Sequence, residues 1–324
     1  MKSRPSHLFA VLLALVANPQ EERVPPDILP AELPSAVPLG LPAAILGSLG
    51  SDEVAALGRR LFFDPILSSD RSVACATCHD PAHGFADPRP RSLGVHGRET
   101  LRNAPTLFNR ALGESFLWDG RADTLEEQVL LPIENELEMD LRLDEAVRRL
   151  EADYAEAFRQ SLGTPPSRDG LSEALAGFVR RIWRGNAPID RFRNGDIEAM
   201  EADARGGMWL FESRGGCWRC HVGSNFTDEA FHNTGVGAID GEPEEGRSAV
   251  TGLAGDLGRF KTPTLRGLRD TAPYMHDGSL ATLEDVVEFY RKGGHPNVNL
   301  DPVLKPIEMT EEDAAKLVAF LASL

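Results

Sequence analysis

Two short runs of one type constrain this chain more than anything else in it: Cys75-Ala76-Thr77-Cys78-His79 and Cys217-Trp218-Arg219-Cys220-His221. Between them they use all four cysteines, so no thiol is left for a disulfide framework. A C-x-x-C-H run is the attachment signature of a c-type haem. Its thiols add across the porphyrin vinyl groups, and the adjacent histidine gives iron an axial nitrogen. Two runs therefore imply two covalently bound haem c groups, and the far side of each iron decides between electron carrier and enzyme. A zinc protein built on two C-x-x-C pairs is the alternative, disfavoured by the histidine directly after each pair.

Covalent haem attachment happens outside the cytoplasm, and the start of the chain agrees. Lys2 and Arg4 precede an apolar run, Leu8 to Val16, too short to span a bilayer. We read residues 1–17 as an export signal and expect a periplasmic protein with no membrane span. No cysteine follows the apolar run, which leaves no lipoprotein anchor. The formal charge of −16 argues against nucleic acid as a partner and is compatible with a basic redox protein.

Residues 18–50 are rich in proline, which forbids a regular helix and predicts an extended strap. A helix is expected from Ser51, a good N-cap followed by Asp52 and Glu53, with Val54, Leu57, Leu61 and Phe62 on one face. Residues 80–102 read as a long loop. Helical patterns resume over 124–131, 143–162 and 171–183. The break Gly185-Asn186-Ala187-Pro188 divides a domain of residues 51–186 from one of 187–324. Helices near 202–211, 283–291 and 311–324 belong to the second. No strand alternation stands out, so the expected class is mainly α, with two haem domains and long loops.

The halves resemble each other. Ala104-Pro105-Thr106-Leu107 returns as Thr262-Pro263-Thr264-Leu265, 158 positions on. At the same offset Trp118-Asp119-Gly120 meets His276-Asp277-Gly278, and Thr124-Leu125-Glu126-Glu127 meets Thr282-Leu283-Glu284-Asp285. Gly58–Phe62 echoes Gly206–Phe211 before the second haem run. We therefore expect two copies of one haem-binding unit, each with a threonine-capped helix. On the inward stripe of that helix, Tyr290 in the second copy stands where Pro132 stands in the first. A tyrosine oxygen can ligate iron, whereas proline has no side-chain donor and ends the helix. Tyr290 reads either as the second iron's ligand or as a core aromatic.

These residues resemble the bacterial dihaem cytochrome c peroxidases and the related MauG proteins. The resemblance runs from about Leu57 to Leu321. It rests on Leu61-Phe62-Phe63-Asp64-Pro65, Arg102-Asn103-Ala104-Pro105-Thr106, Trp118-Asp119-Gly120-Arg121, Phe260-Lys261-Thr262-Pro263-Thr264 and Tyr274-Met275-His276-Asp277-Gly278. It implies two cytochrome c-like domains and a reaction with hydrogen peroxide at the His79 haem. Glu138 is then similar to the family's distal carboxylate, a general acid/base; without the resemblance, Glu134, Glu136 and Glu138 read as a solvated acidic loop. Gln128 resembles a polar distal-pocket residue. Trp118 resembles the tryptophan that relays oxidising equivalents between haems, and on pattern alone it reads as a core residue. His96 resembles a loop histidine that caps the peroxidatic iron at rest. A calcium ion is implied too, with Asn103 by its side chain and Thr271 and Pro273 by backbone carbonyls. His83 and His232 match nothing and read as structural or surface residues; His276 is expected near a haem edge.

The departure is Tyr290. Typical cytochrome c peroxidases carry methionine there and MauG carries tyrosine; Met275 and Met309 do not fall on that position. A phenolate favours ferric or higher iron. The expected function is thus a periplasmic dihaem peroxidase passing oxidising equivalents from the His79 haem through Trp118 to the His221/Tyr290 haem. From there it would oxidise a partner protein in the manner of MauG. A peroxide-removing enzyme fed by a small redox protein, or a non-enzymatic dihaem electron carrier, are the competing readings. A homodimer is a further expectation.

Overall fold

The computed structural model describes residues 36–324. The expected export signal and the first part of the proline-rich segment lie outside the described residues. The chain is mainly helical. Twelve α-helices and two strands of two residues each make up the described part, with 3-10 turns between them.

The first helix, α1 (Asp52–Phe63), starts where its cap predicts: Ser51 Oγ accepts from the Val54 N–H at 3.2 Å. It buries Val54, Leu57, Leu61 and Phe62 and crosses α7 (Arg168–Val179). Between these come α2 (Cys75–Cys78), α3 (Leu125–Gln128), α4 (Leu131–Glu134), α5 (Leu143–Asp153) and α6 (Ala155–Leu162). The second half holds α8 (Pro188–Arg193), α9 (Ala202–Glu212), α10 (Ser248–Thr251), α11 (Leu283–Arg291) and α12 (Glu311–Leu321). One apolar core spans residues 54–182 and a second spans 187–324.

Each core is centred on one close helix crossing, and the two crossings match in detail. Gly58 of α1 lies against the Ala174 carbonyl of α7, where a methyl group would collide with backbone. Gly207 of α9 lies in the same way against the Lys316 carbonyl of α12. Four residues beyond each, an aromatic pair locks the crossing. Phe62 meets Phe178 edge-on at 5.1 Å, and Phe211 meets Phe320 at 5.2 Å.

Three expectations are corrected. The single helix expected over 143–162 is two, because Tyr154 leaves helical geometry (φ −127°, ψ 4°); it is buried and its hydroxyl donates to Asp64 Oδ2 at 2.7 Å. The helix expected over 124–131 is broken after Gln128 and restarts as α4 with Pro132 in its first turn. The strap is not wholly extended: Ala43–Ser48 forms a 3-10 helix that buries Ile45. Pro42 is the last proline there, so the following N–H groups are free to bond. The remaining strap bridges the two halves, its Leu39 carbonyl accepting from Asn186 N and its Gly40 carbonyl from Arg266. Strands β1 (Phe231–His232) and β2 (Phe260–Lys261) pair antiparallel and are too short to leave an alternation in the sequence.

Candidate functional site

The two C-x-x-C-H runs fold alike. In the first, Cys75 and Cys78 sit one turn apart on α2, whose start is held by the Ala74 N–H donating to Thr77 Oγ1 at 3.0 Å. His79 Nδ1 lies 3.1 Å from the Phe85 carbonyl oxygen. In the second, Cys217–Arg219 forms a 3-10 turn, and His221 Nδ1 lies 2.9 Å from the Phe226 carbonyl oxygen. A carbonyl can only accept, so Nδ1 carries the proton in both rings and Nε2 presents its lone pair. Burial pulls both imidazoles below the usual histidine value, which keeps that lone pair free at neutral pH.

The thiols are out of water as well. Burial, then the neighbouring Cys78, pushes Cys75 up to about 12; burial pushes Cys78 and Cys217 each up to about 11. A thioether to porphyrin, being uncharged, suits an apolar setting of this kind. The cysteines form no disulfide. The one cluster of metal-ligand types among the described residues joins Cys220 to Asp228 and His232 and leaves the other cysteines out. The residues present therefore fit two c-type haems and do not fit zinc on paired C-x-x-C motifs.

What faces each run differs. Glu138 is half-buried, and its charge helps raise both Cys75 and Cys78, so the carboxyl lies near the two thiols. Glu134 and Glu136 are exposed. Burial raises the Glu138 pKa, against the pull of Arg121 and of Asn135, whose amide donates to Glu138 Oε1 at 2.6 Å. The segment is pinned from outside: the Val95 N–H donates to the Glu138 carbonyl at 2.8 Å, and Gly94 packs so tightly on Leu137 and Glu138 that no side chain fits. Gln128 closes α3, half-buried, with no hydrogen bond to Glu138 among the described residues. His96 is exposed, in left-handed geometry (φ 59°), with Nδ1 3.4 Å from Asp70 Oδ2. In this structure its ring faces Asp70 and solvent.

The second run opens on a cavity of about 670 Å3, in the range that buries a cofactor. Cys217, Cys220, His221 and Tyr290 line it. α11 runs unbroken to Arg291 behind a full capping box at Thr282 and Asp285, and so carries Tyr290 into this wall. Burial, then the charges of Cys217 and Cys220, pushes the Tyr290 phenol far above its ordinary value. Met275 and Met309 line the cavity too, as do Asn103, Thr271 and Pro273. Trp118 reaches the same space: its indole N–H donates to the Asn103 carbonyl at 2.9 Å and its ring meets His276 at 6.3 Å. His276 is buried and stacks on Phe260 at 3.6 Å.

Sequence reasoning missed several polar groups around the cavity. His232 is held between Asp228 (2.9 Å) and Asp301 (2.7 Å) beside Cys220. Asn109 Nδ2 donates to Asn225 Oδ1 at 3.0 Å, joining the two halves. Arg110, Glu229 and Lys261 form a buried charge cluster at the same join. These partners lie far apart in the chain, and no local pattern pairs them. The Glu229–Lys261 pairing alone had a signal, a lysine directly before the second copy of the repeated Pro-Thr-Leu motif.

Known proteins agree with this arrangement. The family model described as di-haem cytochrome c peroxidase matches residues 52–198. The methylamine utilization protein MauG of Methylorubrum extorquens is 43% identical over 276 residues, covering 84% of this chain and 78% of its own. The cytochrome c551 peroxidase of Pseudomonas aeruginosa is 34% identical over 284 residues, covering 85% and 79%. Among solved structures, a MauG-like protein associated with microbial copper homeostasis superposes with a TM-score of 0.80 at 30% identity, covering 91% of this chain and 95% of its own. With both C-x-x-C-H runs in place and these relatives covering most of its length, the chain belongs to the dihaem cytochrome c peroxidase and MauG family and is an oxidoreductase acting on hydrogen peroxide.

Proposed function

We propose a periplasmic dihaem peroxidase whose halves, residues 51–186 and 187–324, are two copies of one unit with divided labour. The observation that carries this reading is the contrast between α3/α4 and α11. One plan is broken after Gln128, with Pro132 in the first turn of the restarted helix, and leaves Glu138 beside the first pair of thiols; the other is continuous and brings Tyr290 to the second. The duplication is supported by matched details at the 158-residue offset. Thr106 and Thr264 donate to loop carbonyls, the bridge Phe116–Ala122 recurs as Tyr274–Leu280, and left-handed Leu117 recurs as Met275.

When bound at Cys75, Cys78 and His79, the first haem supplies the electrons and electrophilic iron for splitting peroxide. Glu138 takes a proton from one peroxide oxygen and returns it to the departing one. Its raised pKa suits this task, since a base poised nearer neutrality gives and takes protons with less bias. Asn135 orients the carboxylate, and Gln128 lies on the polar side of the pocket. Trp118 stands between the two sites, where it would carry oxidising equivalents toward the second; His221 and Tyr290 would hold the haem there, and Asn103, Thr271 and Pro273 would hold a calcium ion. His96, turned to Asp70, leaves the first site open.

Tyr290 favours oxidation of a partner protein over peroxide removal with a small cytochrome donor, as does the higher identity to MauG than to the cytochrome c551 peroxidase. Export fits a chain in which no described helix is long and apolar enough to cross a membrane. The test is rapid mixing of the diferric protein with stoichiometric peroxide. Fast reaction without prior reduction is expected; reaction only after one-electron reduction would favour the enzyme fed by a small redox protein, and inertness in both states would leave the electron-carrier reading.

A further inference from the structure

One charge cluster at the join between the two cores is unbalanced. Arg110 nitrogens lie 3.2 Å from each Glu229 carboxylate oxygen, and Lys261 Nζ lies 2.9 Å from Oε2. The three side chains are 10%, 7% and 8% exposed. Two cations thus share one carboxylate within hydrogen-bond reach; the next carboxylate, Asp228, acts on Lys261 only through space and is itself bonded to His232. A lysine ammonium has three donors, and here Glu229 takes one. An uncompensated charge in such a place is costly unless a counter-charge arrives. Burial, then Arg110, pulls Lys261 down to about 8 despite Glu229 and Asp228.

Lys261 also lines the cavity of Cys217, Cys220 and His221. Arg214, Arg219 and Lys305 line it as well, but all three are exposed, so Lys261 is the buried lysine or arginine of this wall. Its backbone is fixed by pairing with Phe231 and by its N–H donating to the Trp118 carbonyl at 2.8 Å.

We propose that Lys261 anchors a carboxylate of the second haem, the porphyrin propionate being the counter-charge that the Arg110–Glu229–Lys261 cluster lacks. The inference rests on the reading that the haem joined to Cys217 and Cys220 occupies this cavity. A buried cation beside the porphyrin favours its reduced state and so partly offsets the oxidising preference of a tyrosine ligand. Lys261 is in this sense a positioning residue.

The test uses protein with both haems attached. The midpoint potential of the second haem is read by spectroelectrochemistry and its propionate-deformation band by resonance Raman. Lys261→Met should shift that band and lower the reduced-to-oxidised ratio at fixed poise by roughly tenfold, about 59 mV for one electron. Lys261→Arg should keep both readings near wild type. Glu229→Gln removes a negative charge and frees a lysine donor, so the potential should rise. A purely structural cluster would give shifts of one sign, which overturns the proposal, as does an unchanged potential and band in Lys261→Met. If Lys261→Met fails to retain haem, the sign of the Glu229→Gln shift decides. Absence of haem on the Cys217–Cys220 peptide of the wild-type chain, read by mass, would instead overturn the underlying reading.

Discussion

The two haem runs stand on the same scaffold and differ in what the next helix brings to them. Behind each lie a glycine-notched crossing, an aromatic lock, and a histidine whose Nδ1 is tied to a loop carbonyl. In front of each lies a threonine-capped helix. α11 continues for nine residues, to Arg291, and carries Tyr290 into the cavity wall. α3 stops after four, and Pro132 sits in the first turn of a new helix where Tyr290 would be expected. The loop beyond then brings a carboxyl to the thiols instead of a phenol. Both groups are raised by burial, but with opposite consequences. A raised carboxyl approaches neutrality and becomes a useful proton carrier, while a raised phenol keeps its proton until a metal displaces it. One turn of helix thus separates a site suited to proton transfer from one suited to permanent ligation.

The comparison can be broken most sharply at Glu138. Replacing it in Glu138→Gln should slow peroxide activation by about 10²–10⁴-fold while both haems stay attached; stopped-flow rates equal to wild type would remove it from the mechanism. Next is Tyr290→Phe, which should abolish the native low-spin ferric signal and leave the high-spin one in place. An unchanged low-spin spectrum would return Tyr290 to the status of a core aromatic.

A smaller effect concerns pH. The carboxylate form of Glu138 is the base, so activation is present above its pKa and lost as pH falls through it. Because burial raises that pKa, the acid limb should lie above the ordinary glutamate value of about 4.3. Asn135→Ala removes the donor to Oε1 and should move the limb up by about one further pH unit. A limb unmoved in the pH profile of initial rates would mean that Asn135 does not tune the acid.

Smallest, and symmetric between the halves, is the crossing itself. Gly58→Ala and Gly207→Ala each force a methyl group into backbone and should each cost roughly 1–3 kcal/mol, seen as a lower midpoint of thermal melting. A stabilised variant would show that the notch is not tightly packed.

Much of this contrast was legible in the sequence because it is carried by local patterns. The cysteine-histidine runs, the capping threonines, the offset of 158 residues, and proline opposite tyrosine are all readable without coordinates. The helix break at Gln128 was not placed, since Val129, Leu130 and Leu131 continue an apolar stripe and the interruption arises only with Pro132 in the next turn. The break at Tyr154 was hidden for a different reason: it depends on a hydroxyl reaching Asp64, 90 positions earlier. Glu138 was separable from Glu134 and Glu136 only by resemblance, because burial, the property that distinguishes it, comes from loop 94–98 packed over it. The place of Arg110 beside Glu229 and Lys261 is likewise invisible in the sequence, because the docking of the two halves brings it there.

If one scaffold holds one open and one closed iron, electron paramagnetic resonance of the resting diferric protein distinguishes the two. Equal spin populations of one high-spin and one low-spin ferric haem are predicted, with the low-spin signal alone altered in Tyr290→Phe. Two low-spin ferric haems in the resting protein would contradict it.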